Sequence, residues 1–286
     1  ARPVRPRPEP PAVARPAPAE APEGWATLLV QDVYAGLEPA VARGEVAEIA
    51  VVQEVEKSRR ADVARRAFGF QFPVVSCGAT YAPKKVWGFA RVEADGSAHF
   101  RAPAGLPVYF MALDRHGRAL QRMRTFTHLM PGESQSCIGC HADRNAATHP
   151  PAGSRLPLAA RRAAEPLREP EWGVRGFDYA STVQPVLDRH CAGCHGAVAR
   201  AGGVDLSADR TDFFCVSYEH LARRGTGAER WEVGGHAPAS MGASRLTSWI
   251  PTYNGMESDI LEIAPRRWGS PASRLADLVL AGHPDE

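Results

Sequence analysis

Cys191-Ala192-Gly193-Cys194-His195 reads C-x-x-C-H, and the same pattern stands at Cys137-Ile138-Gly139-Cys140-His141. This spacing is the attachment signature of a c-type haem. Two thiols three positions apart can add to the two vinyl groups of one porphyrin, and the histidine that follows can bind the iron. Thioethers and ligand must come from about one helical turn, so each motif predicts local helix. With six Cys and ten His in 286 residues, two such pentapeptides are very rarely accidental. The rival is a pair of zinc knuckles, which needs four ligands in two paired clusters. Covalent haem c at both motifs is the reading adopted, with Cys137, Cys140, His141, Cys191, Cys194 and His195 as the cofactor-binding set.

A chain of this length has room for about two domains. It is 44% hydrophobic and 23% charged, the ordinary globular range. A net charge of +2 gives no strong pull toward nucleic acid or anionic membrane. No apolar run reaches the roughly 20 residues that span a bilayer. Haem is normally attached outside the bacterial cytoplasm, so a periplasmic or otherwise extracytoplasmic location is expected. The sequence starts at Ala1 and stops soon after Leu280-Ala281-Gly282-His283, which reads as a mature or truncated chain cut in mid-domain.

Residues 1–24 carry eight prolines and no hydrophobic period, an exposed linker or tail. From Trp25 to Arg124 the pattern is β. Strands are expected at Ala26–Tyr34, Val46–Val55, Val86–Val92, Ser97–Arg101, Leu106–Leu113 and Ala119–Thr125. Ala94-Asp95-Gly96 and Asp114-Arg115-His116-Gly117 each predict a hairpin. Short strands at this interval suggest an antiparallel sandwich. Pro131-Gly132-Glu133 makes a turn, and Ser134–Asn145 is expected to be a short helix holding the first motif. Residues 147–172, rich in Ala, Pro and Arg, read as a second linker. Beyond it, Tyr179–His190 puts Val183, Val186, Leu187 and His190 near one helical face. Ser217–Arg224 and Pro271–Leu280 are further helices, with Ser217 and Ser270 as caps and Gly282 just past the end.

Val30-Gln31-Asp32-Val33-Tyr34, Ser76-Cys77-Gly78, Trp87-Gly88-Phe89-Ala90-Arg91-Val92, Gln121-Arg122-Met123-Arg124, Met130-Pro131-Gly132-Glu133 and Cys137–His141 together resemble the middle domain of the hydrazine synthase alpha subunit family. Phe177-Asp178-Tyr179 through Cys191–His195 resembles the C-terminal cytochrome domain of the same proteins. The likeness covers most of residues 25–283. Catalytic members of the family use a tyrosine four residues past the first motif histidine as an iron ligand; this chain has Asn145 there. Those members also carry a β-propeller ahead of the middle domain, and these 286 residues contain nothing like it.

The occupant of the second axial position separates electron carriers from haems that bind substrate. His195 is the proximal ligand of the second haem, and the resemblance implies His283 as the distal one. His236 and His220 are the next candidates, with Met241 and Met256 behind them. For the first haem, His141 is proximal, and His128, Met130 and His149 lie near in sequence; an open or water-bound position is the alternative. His190 reads as structural. Cys77 and Cys215 remain, with buried free thiols preferred to a disulfide. Asp205, Asp209 and Asp212 read as turn residues.

The expectation is an α+β protein: an antiparallel β-sandwich-like domain over 25–146, then a small α-helical cytochrome c-like domain over 173–286. Its expected role is electron transfer to a redox partner protein. One alternative is a haem oxidoreductase acting on small nitrogen compounds or peroxide at an open first haem. Another is a non-catalytic subunit of a larger multihaem complex.

Overall fold

In the computed structural model, residues 23–55, 84–123, 125–140, 156–211, 215–222, 246, 264–266 and 269–283 are described. The Pro-rich start, Cys77, His141, Asn145, His149, Asp212, His236, Met241 and Met256 lie outside them.

Among the described residues, nine strands build the β unit: β1 Trp25–Val30, β2 Glu48–Glu54, β3 Lys84–Arg91, β4 Ala98–Pro103, β5 Pro107–Leu113, β6 Ala119–Arg122, β7 Thr127–His128, β8 Ser134–Cys137 and β9 Gly176–Phe177. One sheet runs β4-β1-β8; the other runs β6-β5-β2-β3-β9, with β7 also on β5. Every pairing is antiparallel except β1 with β8. β1 buries every second residue, as a strand with one face on a core must. Ala26, Leu28, Val30, Ala98, Phe100 and Ala102 from the first sheet meet Ile49, Val51, Ala90, Val108, Phe110 and Ala112 from the second. The expected sandwich is therefore present. Phe100 and Phe110 join the sheets edge to face, ring centres 6.0 Å apart. On the other face of the larger sheet, Ala50, Val52, Tyr109 and Leu113 form a second apolar cluster.

The Asp114–Gly117 hairpin forms as expected, closed by Asp114 N–H donating to the Arg118 carbonyl at 2.9 Å. The Ala94-Asp95-Gly96 turn also forms, but β3 and β4 enter different sheets. The turn reverses the chain, and each strand then takes its own ladder: β3 pairs β2 and β9, β4 pairs β1. Turn chemistry specifies a reversal; it does not specify which edge is open to the strand that follows.

The expected helix from Ser134 is not seen in the described residues. Ser134–Cys137 is instead a strand alongside β1, with Thr27, Leu28, Leu29 and Val30 opposite Ser134, Gln135, Ser136 and Cys137. A short Ser-rich helix gains little by itself, whereas β1 has backbone donors to satisfy on that side.

The described part of 147–172 is stitched to the sandwich and is not a free linker. A 3₁₀ turn at Leu158–Arg161 buries Ala159. Glu165 exchanges backbone bonds with His99 and Arg101, and Arg168 with Phe89, so the strap crosses from one sheet to the other. Trp172 then packs edge to face on Phe89 and Phe177. Pro- and Arg-rich composition argued against a core, but edge pairing and ion pairs such as Arg168–Glu48 need none.

Among the described residues that follow, the longer elements are helices. A π-helical turn at Tyr179–Val183 runs into α1, Gln184–His190, followed by α2, Val216–Ala222, and α3, Arg274–Ala281. Leu187, Leu206 and Leu221 are its buried core among the described residues. Val183 packs beside them, while Val186 is exposed, because the stripe turns through Gln184 and Leu187. Two expected caps move. Ser217 lies inside α2 and is fully buried. α3 is capped by Ser273, whose Oγ accepts from Ala276 N–H at 3.3 Å, while Ser270 belongs to a preceding 3₁₀ turn. Gly282 ends the helix at φ 84°, as expected.

Candidate functional site

α1 delivers the second motif. Cys191 N–H and Ala192 N–H both donate to the Leu187 carbonyl, and His195 N–H donates to the Cys191 carbonyl at 2.9 Å. Cys191, Cys194 and His195 therefore come from one turn beyond the helix. Cys191 is half-buried against Leu187, and burial raises its thiol pKa; Cys194 is exposed. Gly193 has open space where a side chain would stand.

The Nδ1 of His195 lies 2.9 Å from the Ala201 carbonyl, which can only accept, so Nδ1 carries a proton and Nε2 is the nitrogen that can serve as a ligand in the neutral ring. The His283 ring stands across from it, with centres 6.0 Å apart and planes at 72°. The nearby 200–207 segment is tightly made. Asp205 is buried, pairs with Arg200 at 3.2 Å and accepts from Ser207 N–H at 2.9 Å. Burial alone would raise its pKa; the Ser207 bonds and the Arg200 charge outweigh that and leave it lowered. Val186, Val279 and Leu280 are exposed, so α1 and α3 each present apolar side chains to solvent. Two thiols and an imidazole on one turn, with a second imidazole across from them, are the donor types that a covalently held haem uses.

The first motif is set differently. β8 ends at Cys137, and Gln31 N–H and Asp32 N–H reach the carbonyls of Cys137 and Ile138. A Cβ on Gly139 would stand 2.5 Å from the Ala35 carbonyl oxygen, so this position demands glycine. Cys137 and Cys140 pack against the sandwich core. Burial raises both thiols, Cys140 to about 12. Asp32 anchors the corner: it pairs with Arg43 at 2.6 Å and accepts from Tyr34 N–H at 3.1 Å. Tyr34, fully buried, accepts from Gly44 N–H and Val46 N–H. His128 sits exposed on β7, and Met130 is exposed just beyond.

The structure thus brings His195 and His283 together and keeps His190 exposed at the end of α1. His220 lies on α2, close enough for its charge to help lower the Asp205 pKa. Cys215 is a free thiol, 3.2 Å from Ser217 Oγ. Reading by hydrophobic spacing passed over Gln184, Ser217 and Asp32. Gln184 sits three residues before Leu187 on the buried face, which is a usable signal; Asp32-x-Tyr34 is the sequence form of an Asx turn. Among the described residues, no three His, Cys, Asp or Glu converge as a metal site, and no helix is long and apolar enough to cross a membrane.

Residues 44–142 match the family model of the hydrazine synthase alpha subunit middle domain, a span that holds β2 through β8 and ends just past the first motif. Hydrazine synthase subunit alpha of Kuenenia stuttgartiensis is 24% identical over 136 residues, 42% of this chain and 17% of that protein. The solved Kuenenia stuttgartiensis hydrazine synthase shares the fold with a TM-score of 0.52 at 18% identity, over 80% of this chain and 36% of its own. The chain spans about a third or less of the length of these relatives. The family resemblance is supported for the β-rich part.

Proposed function

We propose that this chain is a dihaem c-type cytochrome that passes electrons in an extracytoplasmic compartment. The β-rich unit would carry one haem on Cys137, Cys140 and His141. The helical unit, read as a small cytochrome c-like domain, would carry the other on Cys191, Cys194 and His195. The observation that carries the reading is the second motif: one helical turn with both thiols, His195 held with Nε2 free, and His283 facing it. When bound, the haem supplies reversible one-electron exchange at iron. The chain's own residues do the rest. The two cysteines would tether the group, the Ala201 carbonyl would orient His195, and His283 would offer a second imidazole to the iron. Pyridine haemochrome assay and intact mass of exported protein test this: two haem additions per chain are expected, and no added porphyrin mass would refute it.

A second reading is favoured by the match over 44–142. A protein related to hydrazine synthase could use the first haem on small nitrogen compounds while the second feeds it electrons. This requires an open position opposite His141. Asn145, standing where the resemblance leads to a tyrosine ligand, distinguishes this chain from such a site. Low-temperature EPR separates the readings. Two low-spin haems support the electron carrier; a high-spin signal that shifts with nitrite or CO supports the oxidoreductase. Because the similar Kuenenia stuttgartiensis protein is a subunit of hydrazine synthase, assembly into a larger complex is proposed as well, to be read by gel filtration with co-expressed neighbours.

A further inference from the structure

Gln184 opens α1 on the face that carries Leu187, and it is 4% exposed. A buried amide is costly unless its donors and acceptor are matched. Here both ends are. Nε2 donates to Asp188 Oδ1 at 2.7 Å and to the Leu206 carbonyl at 3.0 Å; Oε1 accepts from Ser217 Oγ at 2.5 Å. The carboxylate and the carbonyl only accept, so the amide has one orientation. Tyr179 OH donates on to Ser217 Oγ at 3.1 Å, tying the turn before α1 to α2.

The bond to Leu206 reaches the motif. Leu206 donates its own N–H to the His195 carbonyl at 2.6 Å, and Ala201, five residues earlier, supplies the carbonyl that takes the Nδ1 proton. The 201–206 segment thus touches His195 at both ends, and Gln184 ties that segment to α1. Asp205 braces the same segment from the other side through Arg200.

We propose that Gln184 is a positioning residue for His195. By anchoring Leu206 it holds the Ala201 carbonyl against Nδ1, keeps Nε2 available, and strengthens the imidazole as a ligand. The effect on a bound iron rests on the haem reading above; the effect on the imidazole does not.

The test uses full-length exported protein as wild type, Q184M and S217A. Methionine keeps the length of glutamine and donates nothing. In Q184M, exchange of the His195 Nδ1 proton with solvent, followed by ¹⁵N NMR, is expected to quicken about fivefold, the scale of one net hydrogen bond. The reduction potential of the second haem is expected to rise while that of the first stays put. S217A, which frees one end of the amide, is expected to shift both readouts the same way by less, and it carries the test if Q184M does not accumulate. Wild-type exchange and wild-type potential in these variants overturn the proposal, even with a lowered melting temperature. If wild-type protein carries no haem at the second motif, the haem reading falls, and the His195 ¹⁵N shifts alone decide the positioning role.

Discussion

Gly139 and Gly193 hold the same place in twin pentapeptides and live in opposite surroundings. A methyl at 139 would press on the Ala35 and Asp32 carbonyl oxygens, backbone atoms that cannot swing aside; at 193 it would meet nothing within 4 Å. Gly139→Ala is therefore expected to cost about 1–3 kcal/mol, and Gly193→Ala less than about 0.5 kcal/mol. Urea unfolding of both variants checks this, and equal losses would contradict the packing described for the first motif. The thiols follow the same division. Cys140 is packed on the sandwich and its thiol sits at about 12, whereas Cys194 is exposed. One motif is built into a core and the other stands on a helix end.

At the scale of the element, two devices carry consequences. Ser273 caps α3, the helix that leads to His283, so Ser273→Ala is expected to lower stability by about 1 kcal/mol. Ser270→Ala should cost less, which thermal melts of the pair would show. The second device is the clamp on the strap. Asp95 accepts from Leu158 N–H at 2.7 Å, from Ser97 Oγ at 2.6 Å and from Ser97 N–H at 3.0 Å. Burial pushes its pKa up, but these bonds prevail and hold it below the usual carboxylate range. A carboxylate with a lowered folded pKa stabilises the fold above its unfolded value. That contribution is lost as pH falls through the folded value. Acid should therefore release the strap at Leu158 first. Protection of the Leu158 and Ala159 amides, relative to their intrinsic exchange rates, is expected to fall in wild type as pH drops below the ordinary carboxylate value of about 4, and Asp95→Asn should flatten that dependence. An unchanged profile in the variant would assign the acid response to another group.

Across the whole molecule, the sandwich is held by side chains that cross between sheets. Phe100, 1% exposed, packs on Phe110 and reaches both layers. Phe100→Ala is expected to cost about 3–5 kcal/mol. Chemical denaturation followed by tryptophan fluorescence would measure it, with Trp25 and Trp87 in the β unit as reporters. Among the described residues, Ala119 N–H donates to Ser270 Oγ at 3.3 Å, Arg266 N–H donates to the Leu120 carbonyl, and Arg118 faces Asp277 at 3.6 Å. Those contacts join β6 and the turn before it to α3 and the residues that precede α3.

The sequence by itself determined the two motifs, the β character of the described residues between 25 and 123, the helix that runs into Cys191 and the glycine that ends α3. Each is written in local spacing: cysteines three apart, apolar residues every second or near every fourth position, glycine where the backbone turns left-handed. Only the tertiary structure decided that β3 and β4 part into separate sheets, that Ser134–Cys137 joins β1 as a parallel strand, and that 156–172 straps the sandwich. The same holds for Gln184 bracing the segment that orients His195. The physical reason is common to all of these. A backbone edge, a buried amide or an imidazole takes whichever partner the folded chain brings within about 3 Å, and sequence spacing does not carry that distance.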